Sequence, residues 1–168
     1  MDPFEKIYTS REIADALPNL KSEGLMQNWF VRGVIAISDA NPGRGKRRLY
    51  SFYEALQVAF VTDLTWVSEP TKIAGPIAKE CADFVAAWML EGKTIEELFH
   101  EYDYMAIYTV RGLVEDQVRF PKCEIIQRSE FNIHADFTYG HFRGYDFSGM
   151  AQNLFENLES VMHNRRSK

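Results

Sequence analysis

The chain has 168 residues, enough for one mid-sized domain or two small ones, and 46% of them are hydrophobic, which excludes disorder as the default. No apolar run approaches the roughly 20 residues that a membrane-spanning helix needs. A net charge of −5 excludes a protein that is basic all over, so contact with nucleic acid has to be local. The opening MDPFEKIYTS is charged where a secretion signal would be apolar, which makes the cytoplasm the expected location. Cys81 and Cys123 lie far apart in sequence and follow no metal-ligand spacing, so they read as reduced structural thiols.

In chain order, Ser10 is the expected cap of a short helix over 11–17 with Ile13, Ala14 and Leu17 on its inner face. Pro18 stops it. Ser22 caps a second helix through about residue 32, which buries Leu25, Met26, Trp29 and Phe30. Gly33 stands where a helix end favours a left-handed residue. Two apolar-rich arms follow, 34–37 and 48–51, and the connector SDANPGRGK between them predicts a hairpin. From Pro42 to Phe52 the chain carries Arg44, Lys46, Arg47 and Arg48 and no acid. A third helix over 52–67 places Phe52, Ala55, Leu56, Ala59, Phe60, Leu64 and Val67 on one buried stripe.

The second half is less regular. Residues 70–91 read as helical after a break at Gly75 and Pro76, with Ile77, Cys81, Phe84, Val85, Trp88 and Met89 on the apolar side. Thr94 and Glu97 form a capping box for a short helix over 95–101. Residues 104–110 and 123–127 are rich in β-branched and aromatic side chains and read as strands. Residues 130–149 are crowded with aromatics and hold His134, Asp136 and His141. These three form no compact metal motif, so neither a metal nor a resident cofactor is expected. The stretch reads as an aromatic strand and loop packing its own domain or a dimer mate, with a small-molecule pocket as the sharper alternative. A final helix over 147–163 aligns Met150, Leu154, Phe155, Leu158, Val161 and Met162. The expected fold is α+β and mainly helical, divided near residue 70 into units 1–69 and 70–168.

The order helix, turn, helix, basic hairpin, helix suits DNA, because the major groove admits one helix braced by another. The second helix would offer Glu23, Gln27, Asn28 and Arg32 to bases. Arg44, Lys46, Arg47 and Arg48 would meet phosphate, and at the start of the first helix the Ser10 backbone N–H and the Arg11 cation would add to it. The bland reading of the cationic run is a solvated loop. The segments Thr9-Ser10-Arg11-Glu12-Ile13-Ala14, Trp29-Phe30-Val31-Arg32-Gly33-Val34-Ile35 and Gly43-Arg44-Gly45-Lys46-Arg47-Arg48-Leu49-Tyr50-Ser51 resemble the DNA-binding domain of MerR-type regulators. The resemblance covers about residues 7–67. It implies a winged helix-turn-helix that binds a two-fold symmetric operator as a dimer. It also implies Trp29 near a phosphate, Arg32 near the groove, and Arg47 or Arg48 with Tyr50 on the wing-side backbone.

The chain departs from the family pattern in three places. Gln27 stands where the family has an arginine, which implies altered base preference. The turn PNLKSEG replaces the common form, and no long dimerisation helix follows residue 70. The expected function is therefore a non-enzymatic, homodimeric transcriptional regulator of double-stranded DNA. RNA polymerase or a small-molecule effector would be further partners, and a membrane would not. An excisionase-like architectural protein and a protein-interaction adaptor are the rival readings.

Overall fold

The computed structural model describes residues 1–36, 48–102, 104–109, 123–130 and 142–167. They form an α+β fold, mainly helical, with two small antiparallel sheets. The chain opens with β1 (Lys6–Thr9), α1 (Ser10–Ala16) and α2 (Glu23–Val31), and after the basic segment continues with β2 (Leu49–Ser51), α3 (Phe52–Trp66) and α4 (Thr71–Leu90). Then come α5 (Ile95–Glu97), which runs into a π-helical turn (Leu98–Tyr102), β3 (Tyr104–Thr109), β4 (Cys123–Gln127), β5 (Phe142–Tyr145) and α6 (Phe147–Arg166).

The cap of α1 is Thr9 rather than Ser10. Thr9 has Glu12 three residues on, and that carboxylate returns to the Thr9 amide at 2.7 Å, closing a capping box. Ser10 has Ile13 at the same offset and nothing to reciprocate. Ser22 caps α2 as expected, accepting from the Leu25 amide at 3.2 Å. The end of α2 is a Schellman motif. Gly33 sits at φ +68°, its amide donates to the Phe30 carbonyl, and the Val34 amide reaches the Trp29 carbonyl at 2.9 Å.

The basic hairpin lies largely outside the described residues, since 37–47 are not among them. Leu49–Ser51 is a strand, but among the described residues its partner is β1, with Tyr8 opposite Tyr50 and Thr9 opposite Leu49. The arm 34–37 forms no described strand: Val34 and Ile35 make a bend, and residue 37 lies outside the described residues. Strands of three and four residues are too short to show a period-two pattern. Lys6 of β1 also pairs with the fully buried Glu54 of α3, Nζ to Oε1 at 2.5 Å.

The third helix departs from the single stripe expected of it. Every residue from Phe52 to Leu64 except Tyr53 and Asp63 is buried, whereas Val67, assigned to the stripe, is exposed. A helix buried around most of its circumference belongs at the centre of a fold, and α3 packs against both α4 and α6. Nor do Gly75 and Pro76 break the helix that follows: α4 runs unbroken from Thr71 to Leu90 with Pro76 inside it. Pro76 costs the Lys72 carbonyl its intrahelical donor. Gly75 has a different task, since a Cβ there would lie 2.7 Å from the Val34 carbonyl oxygen, so the missing side chain lets the end of α2 pack against α4.

The capping box of Thr94 and Glu97 is present as read. The three-stranded sheet has the order β4-β3-β5, and α4 and α6 both pack against it. Phe60, Phe84, Tyr104, Tyr145 and Phe147 interlock edge-to-face at centroid distances of 4.8–6.2 Å, joining this sheet to α3 and α4. Of the aromatic stretch, Tyr145 and Phe147 thus serve the chain's own core, while Phe131, Phe137, Tyr139, His134, Asp136 and His141 lie outside the described residues. One core cluster runs from Tyr8 to Leu158 and crosses residue 70 without interruption.

Candidate nucleic-acid interface

The outward face of α2 follows from its inward one. Met26, Trp29 and Phe30 are buried, so helical spacing turns Gly24, Gln27, Asn28 and Val31 to solvent, and Arg32 follows at the cap. The helix is nine residues long, roughly 13 Å at 1.5 Å per residue, comparable to the width of the major groove. Gln27, Asn28 and Arg32 are therefore brought to one exposed face.

Val31 belongs to that face and was missed. It is 85% exposed, more than any other large hydrophobic side chain among the described residues. Its signal was present in the sequence, four residues after Gln27 and three after Asn28.

Ser10 and Glu23 are occupied with each other. The Ser10 hydroxyl donates to a Glu23 carboxylate oxygen at 2.5 Å, tying the first turn of α1 to the first turn of α2. A glutamate read as a base contact thus braces the two helices through the Ser10 hydroxyl, whereas the group of Ser10 expected to meet phosphate is its backbone N–H. Arg11 projects from α1, its side chain 74% exposed and 3.8 Å from Asp15.

Trp29 and Tyr50 are core residues first. Trp29 is 4% exposed, and Tyr50 is 3% exposed and stacked on Phe30 at 5.3 Å between centroids. Burial pushes the Tyr50 hydroxyl up from its ordinary range, and hydrogen bonding with the half-buried Arg48 works against that rise. Arg44, Lys46 and Arg47 lie outside the described residues.

The helix behind α2 is secured from the far end of the chain. Arg165 of α6 reaches the buried Glu12 at 2.8 Å, and the Asn157 amide donates to the Ala16 carbonyl at 3.0 Å. Burial pushes the Glu12 carboxyl up, but the Thr9 amide and hydroxyl together with Arg165 outweigh it and hold the group below its ordinary value of 4.5. Both ends of α1 are thus gripped by α6. No protein-family model matches the chain, and no curated protein matches it.

A separate cavity of about 540 Å³ lies between the turn after α4 and α6, with Met89, Ile95 and Phe155 as apolar lining and Glu96, Glu156 and Glu159 around it. Among the described residues, no group of three or more His, Cys, Asp or Glu side chains is placed to hold a metal ion. Nor is any helix among them long and apolar enough to cross a membrane.

Proposed function

We propose that this chain is a sequence-specific DNA-binding transcriptional regulator of winged helix-turn-helix type, acting in the cytoplasm as a homodimer on an inverted repeat. The observation that carries the reading is the exposed face of α2, where Gln27, Asn28, Val31 and Arg32 stand together on a helix braced by α1. Gln and Asn match the donor and acceptor edge of adenine, Arg matches guanine, and an apolar tip suits the thymine methyl group. Arg11 and the cations Arg44, Lys46 and Arg47 would hold flanking phosphate, with Arg48 shared between phosphate and Tyr50. Residues 1–69 would supply this contact, and 70–168 dimerisation and the response to an effector or to RNA polymerase. Two copies double the base contacts, which specific binding at nanomolar level generally needs.

The test is genome-wide mapping of bound DNA followed by mobility shift on the recovered sites. A shared palindromic motif, bound less tightly as salt rises, is the expected result. Arg47→Ala should reduce the slope of log affinity against log salt by about 1, the signature of one lost phosphate contact. Arg47 is a cleaner position for this than Arg48, whose loss would also disturb Tyr50.

A protein-interaction adaptor is the second reading, favoured by the net charge of −5 and by the exposed valine in the middle of the α2 face. Absence of any shifted genomic fragment, with a folded protein, would select it.

A further inference from the structure

The last helix divides its circumference among three neighbours. Ala151, Leu154 and Leu158 are buried in the core, and Asn157 and Arg165 hold α1. The remaining stripe, Gln152, Phe155, Glu156 and Glu159, recurs at spacings of three and four and lines the cavity of about 540 Å³ beside the turn after α4. Met89 and the buried Ile95 supply apolar surface to the same cavity, and Glu96 adds a further carboxylate.

The size is that of a small-molecule site, and the charge selects the class of molecule. Three carboxylates, Glu96, Glu156 and Glu159, belong to the lining. Lys93 is the cationic side chain among the lining residues, and its ammonium is engaged elsewhere, 4.1 Å from the centre of the Trp88 ring and 2.6 Å from Glu91. Even with Lys93 and the Met1 amine both counted, the lining keeps a net negative charge. Gln152 adds to it. Its Nε2 donates to Glu156 Oε1 at 2.6 Å, while its own Oε1 is buried with no donor among the described residues. A buried carbonyl oxygen without a donor leaves its partial negative charge unanswered in a medium of low dielectric.

We propose that this cavity binds a small organic cation, an ammonium carried on an aromatic or branched apolar body, at a site independent of the DNA-binding reading. The body lies on Met89, Ile95 and Phe155, where removal of apolar surface from water supplies affinity. The ammonium faces Glu156 and Glu159, with Glu96 across from them. A neutral molecule of the same shape keeps the first contribution and loses the second, and an anion is repelled.

The experiment titrates the full-length, folded chain with dibenzylammonium, with dibenzyl ether as the neutral molecule of similar shape and with diphenylacetate as the anion. Calorimetry gives the affinities, and the methionine methyl resonances report the place. The expected outcome is binding of the cation at millimolar concentration or below, weaker binding of the ether and none of the anion. The Met89 methyl should shift with the cation, and the methyl of Met26, fully buried in α2, should not. Glu156→Gln and Glu159→Gln should each weaken the cation about fivefold, the effect of removing one charge some 4 Å away in water. Asp15→Asn removes an equal charge outside the cavity and should change nothing, which separates a local contact from the net charge of the chain. Melting curves show whether each variant is folded; if a glutamine variant is not, the three molecules and the methyl shifts decide. Ether or anion binding as tightly as the cation, an unshifted Met89 methyl, unchanged affinity in both folded glutamine variants, or no heat from the cation at millimolar concentration would each overturn the proposal.

Discussion

Glu12 combines three roles in one side chain: it closes the box at the start of α1, stays ionised although only 8% exposed, and receives Arg165 from the last helix. A carboxyl whose folded value is depressed stabilises the fold at pH above its unfolded value, and that contribution fades as pH falls toward the folded value. Glu12→Gln should therefore cost about 1–3 kcal/mol at neutral pH, the usual range for a charged hydrogen-bonded group. The difference from the parent protein should shrink below pH 4.5. Urea unfolding at a series of pH values checks this, and a constant difference down to pH 3 would contradict it. At the α2 face, Gln27→Ala or Asn28→Ala should relax base preference while sparing non-specific binding. Val31 admits a sharper test, because replacing thymine with uracil removes one methyl group. That change should weaken the parent protein by about 0.8 kcal/mol, roughly fourfold, and leave Val31→Ala indifferent. Binding that persists but ignores the substitution would remove Val31 from the contact without touching the DNA-binding reading.

At the scale of elements, the helix ends explain how α2, α3 and α4 are placed. Three of them close with a left-handed residue: Gly33 after α2, Ser68 at φ 73° after α3, and Gly92 after α4. Only Ser68 carries a side chain there, and it is exposed, so Ser68→Gly should raise stability by about 0.5–1 kcal/mol through relief of backbone strain. Gly33→Ala meets open space, so its cost of about 1 kcal/mol should come from the backbone alone. Gly75→Ala is the opposite case: its backbone is helical, and the cost, about 1–3 kcal/mol, arises from driving a methyl group into the Val34 carbonyl. Thermal unfolding of the three variants separates these causes. A Gly75→Ala protein as stable as its parent would mean that α2 and α4 can move apart freely.

On the scale of the whole molecule, the helices that would face DNA are not a self-sufficient unit. The central helix α3 is covered by α4 and α6, and α1 is gripped at both ends by α6. A fragment of residues 1–69 would expose Phe60, Val61 and Leu64, each fully buried in the intact chain. It is expected to lack cooperative unfolding by circular dichroism, and a sharp transition in that fragment would refute the shared core. The same packing bears on dimerisation. Leu154 and Leu158 of α6 are buried within the chain itself, so a partner would have to use another surface. Sedimentation of the full chain gives its oligomeric state directly.

Much of the helical pattern was legible in the sequence. The cap at Ser22, the left-handed turn at Gly33, the box at Thr94 and Glu97, the strand 123–127 and the amphipathic last helix all depend on residues within a few positions of one another. Local chemistry of that kind is written in short windows. What eluded the sequence depended on distant partners. Lys6 of β1 pairs with Glu54 of α3; the Val34 carbonyl lies where a Cβ on Gly75 would stand; and Arg165 reaches Glu12. The α2 face lies between these cases. Periodicity alone placed Gln27, Asn28 and Arg32 outward, but only packing showed that Val31 stands with them and that Ser10 and Glu23 are bound to each other. Residue type and spacing determined which helices form; burial of α3 on every side, a property no single segment carries, decided how they assemble.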